Sequence, residues 1–442
     1  MTTTAESPAT PPPSDVGAAT GWVAFATLVL LVLVAREWPV IAPVFGVAAP
    51  SGALSGPFAA LGAMAGVGFA MAGWAVLVEQ VHRNPSTGIE WTRRNPPDPR
   101  TSWTKIAGLW STFAVLGALY CLLRWYWSGD YGFALRVLAL AGAAMALLAV
   151  PYVLWLDRVL VEPRDAAWHW GALLTRQGEW QREQVLRHWR AWLIKGFFGA
   201  FMLSILPASW AAAVGADLSQ ASGDPIAFGL AAIAFLFLVD VAIGTVGYIV
   251  TFRPLDAHIR SGNPHLAGWI AALACYPPFA AAILGSGMVL NYEFHTPGWT
   301  HWFGASAMLG WVWAGWLVLL TGIYAWATLA FGLRFSNLTY RGIVTNGPYR
   351  YCRHPAYLAK NLFWWSAVLP FLTAGGGWSD PVRNCFALLG VNALYYWRAR
   401  TEETHLLAED AKYRAYHAWM AEHGAITAPL ERIRRRLQKL YL

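Results

Sequence analysis

The sequence has little charge. Asp, Glu, Lys and Arg make up 13% of its 442 residues, against about one-quarter in an ordinary soluble domain. A solvated globular enzyme is excluded. It has four cysteines, none at disulfide or zinc-ligand spacing from another, so neither a disulfide nor a metal site is expected. Cys121, Cys275 and Cys385 lie in or beside apolar runs, and Cys352 lies in a polar stretch. No glycine-rich phosphate loop follows a strand-like run, which excludes a P-loop and a Rossmann fingerprint. No internal repeat is visible, which argues against an inverted-repeat transporter. Residues 1–20 carry no Lys or Arg and make a poor signal peptide. Rich in Thr, Ala and Pro, they read as a disordered tail.

What is abundant is apolar sequence, 57% of the chain. Runs long enough to cross a bilayer recur along the whole length. The expected fold is all-α, a polytopic transmembrane bundle of about ten spans with a C-terminal amphipathic helix. The spans read as Gly21–Val34 (extensible to Phe45), Ala53–Val78, Ile106–Trp127, Tyr131–Leu156, Trp192–Val214, Ile226–Phe252, Leu266–Leu290, Trp302–Phe331, Ala356–Thr373 and Val382–Trp397. With the N-terminus inside, alternate loops carry 28 of the 32 Lys and Arg residues. The exceptions are Arg36, Arg124, Arg136 and Arg383. This bias supports an integral multi-pass protein with both termini cytoplasmic. The net charge of +8 is thus a topological signal, and no nucleic-acid partner is expected.

Several polar features stand out. Residues 165–190 mix Trp and Leu with Arg, the pattern of a helix lying in the membrane interface. Asp240 stands near the middle of an apolar run, where an acid is either functional or bonded to a neighbouring helix. Pro277 and Pro278 are expected to kink the seventh span. Many of the 27 tryptophans fall at span ends, as interfacial belts require; Trp364 and Trp365 instead follow a polar motif and are candidates to wall a pocket.

That motif is Gly342–Lys360, G-I-V-T-N-G-P-Y-R-Y-C-R-H-P-A-Y-L-A-K. It concentrates Arg350, Arg353, His354, Tyr349, Tyr351 and Tyr357 at the edge of an apolar run. A second cluster, Arg398, Arg400, Glu402 and Glu403, follows the next span. A hairpin of two spans joins the clusters and brings its ends together on the cytoplasmic side. Carboxylates there suit ribose hydroxyls or an ammonium group, arginines suit a carboxylate or phosphate, and aromatic rings suit adenine or a sulfonium. Beyond the hairpin, Leu406, Tyr413, Tyr416 and Trp419 recur at helical spacing. The run at 431–439 reads as a basic clamp for anionic lipid or a solvated tail.

Val344-Thr345-Asn346-Gly347-Pro348-Tyr349, Arg353-His354-Pro355-x-Tyr357 and Arg400-Thr401-Glu402-Glu403 together resemble the isoprenylcysteine carboxyl methyltransferase family, and phospholipid methyltransferases carry a similar signature. The resemblance covers about the last 110 residues. It implies an S-adenosylmethionine-dependent methyltransferase acting on a lipid or lipidated acceptor. His354, Pro355, Tyr357, Glu402, Glu403 and Tyr349 would line the cofactor site. Arg400 would orient the acceptor. A hydroxyl or amine acceptor would need a base, for which His354 or one of the glutamates is the candidate. Arg353, Trp364, Trp365 and Asp240 are further substrate-side candidates. The implied division is a tail (1–20), a bundle without a counterpart in the family (21–300) and a methyltransferase-like region (301–442). The chain departs from the family at Ala359, where glycine is usual. Membrane sterol reductases, which use NADPH, share the R-H-P-x-Y stretch; their pattern has Asn and Gly-Asp where this chain has Ala356 and Ala359-Lys360. A non-catalytic transporter or scaffold is the third reading.

Overall fold

Helix starts follow from local chemistry. Asp-Pro pairs open two long helices: Asp98 accepts from the backbone N–H of Arg100 and Thr101 at 3.1 and 3.2 Å, and Asp224 from that of Ile226 at 2.9 Å. The carboxylate satisfies orphan N–H groups while proline occupies a position that needs none.

In the computed structural model, which describes residues 10–440 apart from 49, 95, 97, 128 and 305, the long helices are α1 (Ala18–Arg36), α2 (Pro57–Leu77), α3 (Pro99–Leu122), α4 (Tyr131–Leu156), α5 (Ala166–Thr175), α6 (Arg182–Gly215), α7 (Pro225–Ile249), α8 (Leu266–Leu273), α9 (Phe279–Leu284), α10 (Ala307–Leu329), α11 (Pro355–Val368), α12 (Ser379–Glu409), α13 (Ala411–His423) and α14 (Thr427–Leu440). Among the described residues, seven are long and apolar enough to cross a membrane: α1–α4, α6, α7 and α10. This is a helical protein with the composition of a multi-pass membrane protein. The main core lies where α1, α2, α6 and α7 meet around Leu28, Met71, Trp210, Leu238 and Ile243. One small antiparallel pair, Ser261–Gly262 with Thr339–Tyr340, ties the loop after α7 to the loop after α10.

The other three expected spans take different forms. Residues 266–290 are not one helix: α8 ends before Pro277-Pro278 and α9 begins after them. Proline supplies no N–H and breaks the ladder. Non-helical backbone at membrane depth persists where it is buried in protein or lines a cavity. α11 has 14 residues, about 21 Å, short of a hydrocarbon core of about 30 Å. α12 has 31 residues; its first half is the expected last span and its second half carries the Arg398–Glu403 cluster.

Two further expectations change. Residues 10–17, read as tail, are docked, while residues 1–9 lie outside the described residues. Asp15 N–H donates to the Ile343 carbonyl at 2.9 Å, its Oδ2 accepts from Ile343 N–H at 2.8 Å, and Val16 is buried against Val344 and Tyr349. Residues 165–190 do not form one interfacial helix. α5 instead crosses α3 so closely that a Cβ on Gly171 would lie 1.9 Å from the Thr104 carbonyl oxygen, and Trp168 and His169 are buried.

Candidate functional site

The R-H-P-x-Y spacing is a helix start. His354 is the N-cap of α11 and Pro355 sits in its first turn. Residues three apart share a helix face, so the Tyr357 ring stacks on the His354 ring with centroids 5.6 Å apart and planes 4° apart. The preceding turn needs Gly347, whose φ is +58°, and closes with Tyr349 buried against Phe331.

The partner cluster is read off α12 in the same way. Neighbours on a helix point about 100° apart, so Glu402 and Glu403 serve different partners. Glu402 accepts from the Tyr357 hydroxyl at 2.5 Å and pairs with Arg398 one turn back at 3.2 Å. Glu403 is buried and pairs with Arg353 at 3.1 Å, His354 at 3.1 Å and Arg400 at 2.6 Å. Burial works to raise its carboxyl pKa, but the hydrogen bonds from His354 and His417 and the charge of Arg353 outweigh it and hold the group well below the carboxylate range. The two clusters therefore meet across the α11–α12 connection.

They border a cavity of about 160 Å³, on the order of ten times the space one water needs. Its lining includes His354, Tyr357, Glu402, Arg353 and Tyr349 of the expected residues. Glu403 stands behind His354 and fixes it. Pro355 is buried in the first turn of α11. Arg400 is not among the lining residues; its side chain is 43% exposed and bound to Glu403. Asp240 also lies outside the lining, taking hydrogen bonds from Tyr324 and Thr328, both at 2.7 Å. Trp364 packs its ring on Tyr395 at 5.1 Å, and the Trp365 indole donates to Asn392 at 2.8 Å. These two support the wall and do not form it.

Several lining residues escape a reading of the motifs. Tyr276 comes from the break before Pro277, and its ring lies under the Arg398 guanidinium at 5.5 Å. Asn337 accepts from Arg398 at 2.6 Å. Lys360, Tyr324 and His405 add further polar groups. The proline pair was the available signal for Tyr276; Asn337 carries none. His405 bonds Ser261 at 3.0 Å, and burial pushes its pKa down to about 4.

The helices after α12 close the site. Tyr413, Tyr416 and Met420 turn inward against Ile343, so the apolar face of α13 covers the motif loop. The Tyr416 hydroxyl donates to the Tyr349 carbonyl at 2.7 Å. Glu431 of α14 pairs with Arg353 at 2.6 Å. Arg341, buried in the same loop, donates to the carbonyls of Gly247 and Leu333, each at 2.9 Å, and so anchors the loop to the end of α7.

Around the cavity Glu402 offers carboxylate acceptors and Tyr276, Tyr357 and Tyr395 offer ring faces, groups that suit hydroxyls, an aromatic ring or a cation. No curated protein and no solved structure matches the chain. Residues 289–419, which hold both clusters and most of the cavity lining, match a family model described as a protein of unknown function, DUF1295.

Proposed function

We propose that the chain is an integral-membrane S-adenosylmethionine-dependent methyltransferase acting on a lipid-like or membrane-borne acceptor. One observation carries the reading. His354–Glu403 and Tyr357–Glu402 close at 3.1 and 2.5 Å beside an aromatic-walled cavity, from residues 45 or more positions apart that the motif spacing pairs in advance. The loop charges support a cytoplasmic side for the cavity and for both termini. α11 and the first half of α12 complete the membrane-embedded part, and the break between α8 and α9 lines the cavity in place of a straight span.

The cofactor would supply an electrophilic methyl group on a cationic sulfur. The protein's task is then alignment and exclusion of water. Glu403 fixes the His354 ring and Glu402 fixes the Tyr357 hydroxyl, so two cavity walls are rigid before a ligand enters. α13 and the docked residues 10–17 cover the loop that forms the third wall. The test is to incubate the protein in its membrane with labelled S-adenosylmethionine. Label is expected in a lipid-soluble or membrane-protein product; absence of any transfer, with the cofactor unbound, would sink the reading.

A second reading, an NADPH-dependent reductase, has one observation in its favour. Tyr324 lines the cavity with its hydroxyl held by Asp240, an arrangement able to deliver a proton after hydride transfer. The opposing observation is sequence-based: Ala356 and Ala359 stand where that pattern has Asn and Gly. Binding of reduced dinucleotide in place of S-adenosylmethionine would favour it.

A further inference from the structure

The last helix, α14, has 14 residues and is too short to cross a membrane, yet it leaves large apolar side chains uncovered. Ile426, just before it, Leu430 and Ile433 are 40%, 55% and 54% exposed. Their spacing of four and three residues puts them on one helix face. On a spanning helix such exposure is the lipid-facing side; α14 is not a span. At 100° per residue, Arg432 and Arg436 border the stripe on one side and Arg434 on the other. Arg432 and Arg436 are exposed. Residues 427–440 hold five basic residues against one acid. An apolar stripe flanked by arginines on a helix of low overall hydrophobicity is the pattern of a helix lying in the membrane interface.

Another face of α14 is bonded to the site. Thr427 and Glu431 lie one turn apart and are both buried. The Thr427 hydroxyl accepts from the Arg353 main-chain N–H at 3.2 Å, and Glu431 takes the Arg353 guanidinium at 2.6 Å. Arg353 also pairs with Glu403 at 3.1 Å, and Glu403 with His354 at the same distance. α14 thus holds one cavity-lining arginine by its backbone and by its side chain.

We propose that α14 is a membrane-surface sensor. It lies on the anionic phospholipid of the cytoplasmic leaflet, and that docking fixes Arg353, and through Glu403 the His354 ring, at the cavity wall. Basic segments beside a membrane are drawn to anionic headgroups, and the exposed stripe seats among the upper acyl chains. A second copy of the chain would bring the same cations face to face, and like charges repel across a contact. A neutral bilayer would accept the stripe and leave the arginines without partners. On such a surface α14 loosens, Glu431 goes with it, and Arg353 keeps Glu403 as its acid.

The test is hydrogen exchange on the full chain in two nanodiscs, one of phosphatidylcholine alone and one of phosphatidylcholine mixed with phosphatidylglycerol. In the anionic discs residues 427–440 are expected to exchange about ten-fold more slowly, the scale of two arginines at an anionic surface. Residues 350–357 are expected to slow with them. The double variant Arg432→Gln, Arg436→Gln is expected to lose the lipid dependence in both segments; both side chains are exposed, so it keeps its fold. Glu431→Ala is expected to keep the response of α14 and to weaken that of the motif loop. Equal exchange of α14 in the two lipids overturns the proposal, as does a response undiminished in the double variant. Protection in both lipids that grows with the number of protomers per disc marks a second copy as the occupant and overturns it too. A motif loop that does not follow α14 in the wild type overturns the coupling. Neither lipid probe is a substrate or a cofactor, so the outcome is independent of the reaction carried out in the cavity.

Discussion

Two buried charge clusters, one in each half of the chain, follow opposite plans. In the amino-terminal bundle one cation lies between two carboxylates: Lys105 is 2.6 Å from Asp157 and 3.3 Å from Asp165. Arg253 also approaches Asp165, at 3.8 Å, and both acids bond the fold. Ser102 bonds Asp157 at 2.8 Å, and Asp165 caps α5 through the N–H groups of Ala167 and Trp168. In the carboxy-terminal third one carboxylate, Glu403, lies among Arg353, Arg400 and His354. Its neighbour Glu402 and its partner His354 both line a cavity. Burial of charge is therefore not what marks a site in this protein. Asp157 and Ser102 of the first cluster also border a cavity, so the carboxy-terminal cluster differs in setting histidine, tyrosine and carboxylate side chains together on one cavity wall.

Breaking each cluster separately sharpens the contrast. Glu403→Ala leaves Arg353, Arg400 and His354 around an empty position and is expected to cost about 4 kcal/mol. It should also abolish the rise in melting temperature with S-adenosylmethionine. Lys105→Met is expected to cost about 3 kcal/mol by leaving two carboxylates facing each other, with the cofactor response intact. A Lys105 variant that keeps its stability but loses the response would reverse the comparison.

Acid probes the same contrast without mutation. Burial holds His405 down at about 4 and His258 at about 2. Between the ordinary histidine value of about 6.5 and these folded values, the unfolded chain takes up protons that the folded chain refuses. Stability contributed by these groups is therefore present above pH 6.5 and lost as pH falls through the window, by about 3 kcal/mol from His405 alone. Thermal melts across that range should show the slope, and His405→Gln should flatten part of it. The carboxylate of Glu403 adds its own loss further down, below the ordinary carboxylate range, because its folded pKa is depressed. The smallest effect is expected from Tyr357→Phe, which removes the hydroxyl that Glu402 accepts. About 1 kcal/mol of stability is expected to go, with a several-fold weaker titration by S-adenosylmethionine.

The pairings at the heart of the site were legible because they are helical arithmetic. His354, Tyr357, Arg398, Glu402 and Glu403 sit at helix positions that spacing alone assigns, and a hairpin must bring them together. The path of the chain around them was less legible. Hydropathy marks Leu266–Leu290 as a span, but Pro277-Pro278 end the ladder and hand Tyr276 to the cavity. Ser14 and Asp15 look like any polar tail; only the folded loop at Ile343 and Lys412 of α13 give them partners. Arg400 was named by resemblance, yet it turns to Glu403 and leaves the cavity lining, which Lys360 joins. Their positions depend on which way each side chain leaves its helix and on which partner reaches it first, and neither is written in the spacing.

The most direct test of the central claim is a thermal melt of the protein in nanodiscs with S-adenosylmethionine and, separately, with NADPH, on the wild type and Glu403→Gln. S-adenosylmethionine alone is expected to stabilise the wild type, and to leave the variant unchanged. Stabilisation by NADPH alone, or an equal response of Glu403→Gln to S-adenosylmethionine, would contradict it.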